Sequence, residues 1–284
     1  MKHLLVCPII VLVAATSVRG AVTPLTTKLT EGPPTIIECE LTVAPKLADV
    51  PVFKTAKECE DTKGTYHYQL HLPKGYNADA KRLWPCMFFA NPAGVSKGKK
   101  IREVIDCIKD QGYIVIALIE SKNGPWEPII GNFLAAHDDA VKRVRIQEGL
   151  KMATGFSGGA RASSIFVQLR PGFSGLILQG AGGALDDRGN YYLDGLKRNN
   201  ALHTVIAMGK RDPNAAEVSR MKTRLSSARC EVLMFDGAHA WAPLDVMENA
   251  IAWIERELCT KGLVPRDAHP ELLARLKSQA AKKK

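Results

Sequence analysis

The sequence lacks the strong compositional bias of fibrous and disordered proteins. Of its 284 residues 24% are charged and 46% are hydrophobic, with 23 glycines and 16 prolines. These values exclude a collagen, a coiled coil and an intrinsically disordered chain, because each of those classes requires a biased residue usage. The mean hydropathy of −0.08 excludes a protein that crosses a membrane many times. The length is near the upper limit of about 250–300 residues for one hydrophobic core, so a single domain is expected.

Patterns for binding metals and nucleic acids are also missing. The chain has no C-x-x-C motif and no group of His and Cys residues at metal-ligand spacing, so no metal site and no other cofactor are expected. Lys and Arg outnumber Asp and Glu by 39 to 29, a balance that favours acidic surfaces. The basic clusters at residues 97–102 and 282–284 lack the interleaved aromatic rings on which single-stranded nucleic acids stack. We therefore expect no nucleic-acid partner.

Residues 1–20 have the pattern of a secretory signal peptide. Basic residues precede an apolar run at 4–15, and small residues follow it. The run is shorter than the roughly 20 apolar residues that a membrane-spanning helix needs, which favours a cleaved signal over an anchor. Cleavage is expected after Gly20, with Ala15 as the alternative. The mature protein is then expected to be secreted or periplasmic, without stable insertion into a membrane.

If the chain is exported, its cysteines are expected to form disulfides. Six of the seven lie beyond residue 20, and an even number in an oxidising compartment permits disulfides. Residues 21–64 are rich in Pro, Thr and Lys and resemble an extended lead-in. Cys39 and Cys59 both lie in this stretch and form the favoured pair. Cys86 begins an apolar run, as a core residue does, and the sequence leaves the full connectivity open.

Short apolar strands alternate with helices over residues 65–260, which we expect to form the main domain. The pattern at 66–72 alternates apolar and polar side chains, as a half-exposed strand does. The other predicted strands are short and mostly apolar, and lie at 86–90, 113–119, 151–155, 175–179, 203–208 and 230–235. The continuous apolar run at 86–90 is typical of a strand buried on both faces. The predicted helices lie at about 98–110, 134–148, 158–169, 214–228 and 246–258. This alternation predicts an α/β fold, a mostly parallel sheet with helices on both faces. Residues 261–284 are expected to form a basic helical tail.

One strand end carries the motif of a nucleophilic serine. Sheets of this class place their sites at the carboxyl ends of the strands. Residues 155–159 read G-F-S-G-G and match G-x-S-x-G between a predicted strand and a predicted helix. In that setting the serine lies in a strained turn, and the flanking glycines let neighbouring backbone approach closely. The related segment 172–175 enters a strand instead of leaving one, so Ser174 is expected to be structural. Ser157 is the candidate nucleophile.

Two further strand ends carry the acid and the base that a serine nucleophile needs. Asp212 follows the strand at 203–208, and His239 lies in a glycine-containing loop after the strand at 230–235. The chain order Ser157, Asp212, His239 is that of nucleophile, acid and base in one large class of serine hydrolases. Asp212 precedes a proline and is also a suitable helix N-cap. The alternative acids, in the loop at 180–195, are Asp186, Asp187 and Asp194.

An oxyanion hole requires two N–H donors. One is expected from Gly158, the residue after the nucleophile, and the second from Ala93 or Gly94 in the loop after the strand at 86–90. Trp126 and Trp241 flank the expected site. Each either lines a pocket or belongs to the core.

Together these motifs resemble the α/β-hydrolase superfamily. Residues 155–161, 209–212 and 237–241 look like those of secreted esterases of the polyhydroxybutyrate-depolymerase, feruloyl-esterase and dienelactone-hydrolase types. The resemblance covers roughly residues 65–258 and implies the α/β-hydrolase fold. It also implies a serine hydrolase with Ser157 as nucleophile, His239 as base and Asp212 as acid. The implied substrate is a small-molecule or polymeric carboxylic ester, cleaved through an acyl-enzyme.

The oxyanion loop departs from the family pattern. Residues 91–94 read N-P-A-G, where many members carry a histidine–glycine pair. Two other classes share the motifs, a serine peptidase of the same fold and a non-catalytic binding protein. The absence of a propeller-sized N-terminal extension disfavours a peptidase, and the complete set of three groups disfavours a binding protein. The absence of a long lid insertion disfavours an interfacially activated lipase.

Overall fold

One mixed sheet with helices on both faces makes up the described part of the chain. The computed structural model describes residues 29–46, 52–95, 98–186, 189–225, 229–265, 268 and 270–281. The predicted signal peptide, Asp187 and residues 282–284 lie outside these ranges. None of the described helices is both long and apolar enough to cross a membrane.

Strands and helices alternate along the chain, as the sequence pattern predicts. The strands are β1 (Thr35–Leu41), β2 (Gly64–His71), β3 (Trp84–Ala90), β4 (Ile114–Leu118), β5 (Ile146–Phe156), β6 (Phe173–Gln179), β7 (His203–Gly209) and β8 (Cys230–Phe235). The helices are α1 (Ala56–Glu60), α2 (Lys99–Asp110), α3 (Trp126–Arg143), α4 (Gly158–Leu169), α5 (Asp194–Arg198), α6 (Glu217–Arg224), α7 (Leu244–Thr260) and α8 (Pro270–Ala281).

The sheet has the strand order β1-β2-β4-β3-β5-β6-β7-β8. All pairs from β4 to β8 are parallel. Strand β2 runs antiparallel to both of its neighbours. The predicted mostly parallel sheet is therefore confirmed. Its parallel strands end at one edge, where the loops after β3, β5, β7 and β8 bring their residues together.

The apolar runs of the central strands are explained by two separate cores. Helices α3 and α4 cover one face, where the rings of Phe133 and Phe166 stack at 4.2 Å. Helices α2, α7 and α8 cover the other face, with Ile105 and Ile254 buried there. Successive strand residues point to opposite faces. Each must therefore be apolar to enter a core.

Helix α3 begins earlier than predicted. The sequence pattern placed this helix at about 134–148, whereas it spans Trp126–Arg143. Pro128 lies in the first turn, where a helix needs no backbone N–H donor. The residues after Val144 extend β5 instead, because that strand begins at Ile146. Short helix α5 was not predicted.

The two terminal segments belong to the packed structure. Strand β1 lies within the expected lead-in and pairs with β2 along its whole length. Helix α8 lies within the expected tail and packs against α7, with Leu272 and Leu276 buried. The Arg275 guanidinium binds the carboxylate of Glu255, a buried residue of α7 that also accepts from the Tyr113 hydroxyl at 2.8 Å.

The expected disulfide between Cys39 and Cys59 is not formed. All six cysteines after residue 20 are free thiols. Cys39 lies on the buried side of β1, where its Sγ donates to the Tyr66 carbonyl oxygen at 3.5 Å. Cys86 is a core residue with no exposed surface. Burial raises the pKa of both Cys39 and Cys86 to about 12, so these thiols remain protonated and unreactive.

Candidate active site

The turn between β5 and α4 holds Ser157 in a strained backbone conformation. Ser157 has φ 54° and ψ −117°, and it is the one non-glycine residue with positive φ in the described part of the chain. Its N–H donates to the Gln179 carbonyl at 2.8 Å, which fixes the turn against β6. Such strain costs of order 1–3 kcal/mol and persists where the surroundings impose it. The turn presents the Ser157 side chain at the edge of the sheet.

The glycines on either side of Ser157 have the steric role that the motif predicts. A Cβ at Gly155 would lie 2.3 Å from the backbone of Gly159. A Cβ at Gly159 would lie 2.4 Å from the carbonyl oxygen of Ala90, at the end of β3. Any larger residue at either position therefore collides with backbone. By contrast Ser174 is buried inside β6, as expected for a structural serine.

Three side chains that are distant in the sequence form a continuous hydrogen-bond chain. His239 Nε2 lies 3.0 Å from Ser157 Oγ, across 82 positions of sequence. His239 Nδ1 lies 2.8 Å from Asp212 Oδ2. The Asp212 side chain is fully buried, whereas about a third of the His239 side chain is exposed. A neutral imidazole in this position donates from Nδ1 and keeps Nε2 free to accept a proton from the hydroxyl.

Asp212 is held in place by the turn after β7. Its Oδ1 accepts the N–H of Asn214 at 2.8 Å, which leaves Oδ2 for His239. It is not a helix N-cap, because α6 begins at Glu217 with Ala216 as its cap. Of the alternative acids, Asp186 accepts the N–H of Asn190 and Asp194 begins α5. The structure brings neither of these two carboxylates to His239.

The two tryptophans have different surroundings. Trp241 stacks on the buried ring of Phe89, with centroids 5.1 Å apart and planes 5° from parallel. The Phe156 ring lies 5.4 Å from Trp241 and 4.7 Å from the His239 ring. Trp241 therefore belongs to an aromatic layer that supports the histidine. Trp126 lines a cavity instead.

That cavity has a volume of about 400 Å³ and lies between three segments of the chain. They are the residues before and within α1, the start of α3, and the loop that follows β6. The same loop begins beside the Ser157 turn, since a Cβ at Gly180 would lie 2.5 Å from the Phe156 ring. The wall of the cavity combines aromatic residues, such as Phe53 and Tyr192, with charged ones, such as Lys54 and Glu127.

The candidate oxyanion donors differ in availability. Within the described ranges, neither the Gly158 N–H nor the Ala93 N–H has a hydrogen-bond acceptor. The Gly94 N–H donates to the Asn91 carbonyl at 2.8 Å. The Asn91 side chain in turn donates to the Gly94 carbonyl at 2.6 Å, which closes the loop on itself. This arrangement favours Ala93 over Gly94 as the second donor.

A partly buried ion pair next to the site was not predicted from the sequence. Arg161, in the first turn of α4, contacts Glu217 of α6 at 2.6 Å and the Gly183 carbonyl at 2.9 Å. Glu217 also accepts the Gly182 N–H at 2.8 Å. The pair thus connects the helix after Ser157, the loop after β6 and the segment after Asp212. One sequence feature could have predicted this pair. Arg161 follows the predicted start of a helix, where the helix dipole disfavours a cation, so an acidic partner is expected.

Solved structures provide the comparison with known proteins, because no protein-family model matches this sequence and no curated protein matches it. An S-formylglutathione hydrolase from Staphylococcus aureus is similar with a TM-score of 0.53 and 12% identity, over 80% of this chain and 99% of that one. A ferulic acid esterase from the anaerobic fungus Anaeromyces mucronatus has a TM-score of 0.52 and 14% identity, over 79% and 92%. A fluorophosphonate-binding serine hydrolase from Staphylococcus aureus has a TM-score of 0.51 and 12% identity, over 78% and 99%. At these identities the likeness shows a shared fold.

Proposed function

We propose that this chain, which has the α/β-hydrolase fold, is a serine hydrolase that cleaves carboxylic esters through an acyl-enzyme on Ser157. The observation that carries the proposal is the hydrogen-bond chain from Ser157 Oγ through His239 to Asp212, at 3.0 and 2.8 Å. Three groups from separate loops rarely meet in this order and spacing for reasons of packing alone. The strained φ of Ser157 adds support, because strain of this kind clusters at functional sites.

In the proposed first step Ser157 Oγ attacks the ester carbonyl carbon. His239 Nε2 accepts the hydroxyl proton as the Oγ–C bond forms, and the carbonyl electron pair moves onto the oxygen. The imidazolium then gives the proton to the leaving alkoxide, which departs as an alcohol. Water repeats the sequence on the acyl-enzyme, releases the acid and restores Ser157.

The surroundings of His239 fit this role. The Asp212 carboxylate orients the ring through Nδ1 and stabilises the imidazolium form. The Gly158 and Ala93 N–H groups, free of other acceptors in the described residues, are the proposed donors to the oxyanion. Each such donor is worth on the order of 3 kcal/mol in the transition state.

The cavity beside Trp126 is the proposed binding place for one side of the ester. Its volume of about 400 Å³ lies within the range of small-molecule pockets. One of the similar structures is named a ferulic acid esterase and another an S-formylglutathione hydrolase, which supports a hydrolase that acts on esters. We propose a secreted or periplasmic enzyme, from the signal-like pattern of residues 1–20, with neither cofactor nor nucleic-acid partner.

Labelling with a fluorophosphonate probe tests the proposal. We expect the protein to be labelled at Ser157, and Ser157→Ala to lose both labelling and ester hydrolysis. Ser174→Ala is the matched control, because it removes a hydroxyl from a related segment inside β6 and is expected to keep both. A panel of short acyl esters, feruloyl esters and peptides then compares the substrate classes. Absence of labelling would favour a binding protein, and faster turnover of peptides would favour a peptidase.

A further inference from the structure

Asn123, in the loop between β4 and α3, contacts the Ser157 turn. A Cβ at Gly158 would lie 1.8 Å from Asn123 Oδ1 and 3.2 Å from Nδ2. The carboxamide therefore occupies the space directly against the backbone of Gly158. Asn123 is exposed, so a molecule that approaches Ser157 from solvent also reaches this amide.

The backbone of Asn123 is attached to the loop that carries the other proposed oxyanion donor. Its N–H donates to the Pro92 carbonyl at 2.7 Å. The preceding residue, Lys122, pairs with Ala93 in an isolated antiparallel bridge. The N–H groups of Ala93 and Gly158 are the proposed donors of the oxyanion hole. Asn123 lies between them, because its backbone bonds to the residue before Ala93 and its side chain contacts Gly158.

Among the described residues, the side-chain amide of Asn123 has no hydrogen-bond partner. Within the described residues neither Oδ1 nor Nδ2 of Asn123 makes a hydrogen bond. By contrast, the side-chain amide of the nearby Asn91 donates to the Gly94 carbonyl. A carboxamide offers two N–H donors and one acceptor oxygen, and rotation about the Cβ–Cγ bond exchanges the two ends. A neutral amide with unused donors can thus serve a ligand at this position.

We propose that Asn123 Nδ2–H is a third donor to the oxyanion, an inference that rests on the proposed serine hydrolase function. When Ser157 Oγ bonds to the carbonyl carbon and its proton passes to His239, the charge that develops on the carbonyl oxygen accepts this N–H. When the intermediate collapses, the electron pair returns to the carbon–oxygen bond and the donor is released. Asn123 then acts on the transition state more than on the bound ester.

The alternative role for the same contact is packing, in which Asn123 acts only by supporting Gly158. Two substitutions separate these roles. Asn123→Ala removes both the donors and the packing. Asn123→Asp keeps the shape but replaces the donors with a negatively charged acceptor. A donor is lost in both variants, whereas packing is lost only in the alanine variant.

The experiment compares kcat and KM for one activated ester, and the rate of fluorophosphonate labelling, in the full-length wild type and variants. One lost oxyanion donor lowers kcat by about 10²–10³-fold, so we expect a loss of this order in Asn123→Ala. Asn123→Asp is expected to lose at least as much, with KM nearly unchanged in both. Asn200→Ala is the matched control, because it removes an exposed amide at the turn before β7, and it is expected to match the wild type.

Several outcomes overturn the inference. Wild-type kcat in Asn123→Asp with a loss in Asn123→Ala identifies packing, and a change confined to KM identifies a ground-state contact. Wild-type behaviour of both variants leaves Asn123 with no part in the reaction, while labelling of Ser157 still supports the hydrolase. Failure of the wild type itself to react at Ser157 overturns the proposed function together with this inference. Urea unfolding of each variant shows whether a loss reflects misfolding instead.

Discussion

At the residue scale, each side chain of the candidate site is held in place by contacts with the surrounding fold. The strained Ser157 backbone is fixed by a bond to β6, and Asp212 is buried and bonded to its own turn. His239 is the most exposed of the three, and the Phe156 ring contacts it on one side. The site is therefore preorganised, so that little rearrangement is needed when a substrate binds.

Asp212→Asn tests the role of the buried carboxylate. The amide has nearly the same shape but cannot stabilise the imidazolium, and it favours the wrong tautomer of His239. We expect kcat to fall by about 10⁴-fold, as in serine hydrolases that use this arrangement. Ester hydrolysis under saturating substrate measures the change.

Asp194→Asn is the control for that substitution, because Asp194 begins α5 and the structure does not bring it to His239. It is expected to retain wild-type kcat. A large loss in Asp194→Asn together with a small loss in Asp212→Asn would assign the acid differently.

At the scale of elements, the end of the chain is joined to the domain by both packing and charge. Helix α8 buries Leu276 in the same core as α2 and α7. Its Arg275 forms an ion pair with the buried Glu255 carboxylate. Removing a charge partner from a buried group is costly, so α8 is expected to unfold together with the sheet.

Leu276→Ala tests whether α8 belongs to the cooperative unit. Leu276 is buried, and truncating a buried leucine costs about 2–5 kcal/mol. We expect a loss of that order in the free energy of unfolding, measured in urea. Leu263→Ala is the control, because Leu263 is exposed and its truncation should cost much less. Equal stability of the wild type and Leu276→Ala would mean that α8 is a loosely attached tail.

At the scale of the whole molecule, three buried histidines connect stability to pH. Burial lowers the pKa of His71 to about 4, and the neighbouring Lys109 adds to the effect. Burial also lowers the pKa of His137 and of His203. The unfolded chain therefore binds more protons than the folded one as the pH falls below the ordinary histidine value of about 6.5. The half-buried His67 acts in the opposite sense, because its hydrogen bond to the Glu120 carboxylate raises its pKa.

The expected result is a protein whose full histidine-linked stability is present above about pH 6.5 and is lost towards pH 4. His71 alone should lower the free energy of unfolding by roughly 2 kcal/mol between pH 7 and pH 5. Urea unfolding at the two pH values measures this difference. His71→Gln should reduce it, since glutamine does not titrate. A difference that is unchanged in His71→Gln would assign the effect to other groups.

The sequence by itself determined the parts of this protein that depend on neighbours along the chain. The apolar runs at 86–90 and 203–208 are local patterns, and they predicted strands of a sheet covered on both faces. The motif around Ser157 is equally local, because the turn sterics require glycines at fixed positions beside the serine. Periodicity and turn sterics act over a few residues, so a sequence displays them directly.

Only the tertiary structure decided which distant groups meet. The sequence left Ala93 and Gly94 equivalent, and it contained no sign that Asn123 would contact Gly158. The sequence also favoured a disulfide between Cys39 and Cys59, whereas both cysteines are free in the folded chain. The hydrogen bond between the Ser157 and His239 side chains joins residues that are 82 positions apart in the sequence. Such contacts depend on strand order and loop paths, which are set by the packing of the whole chain and not by any local pattern.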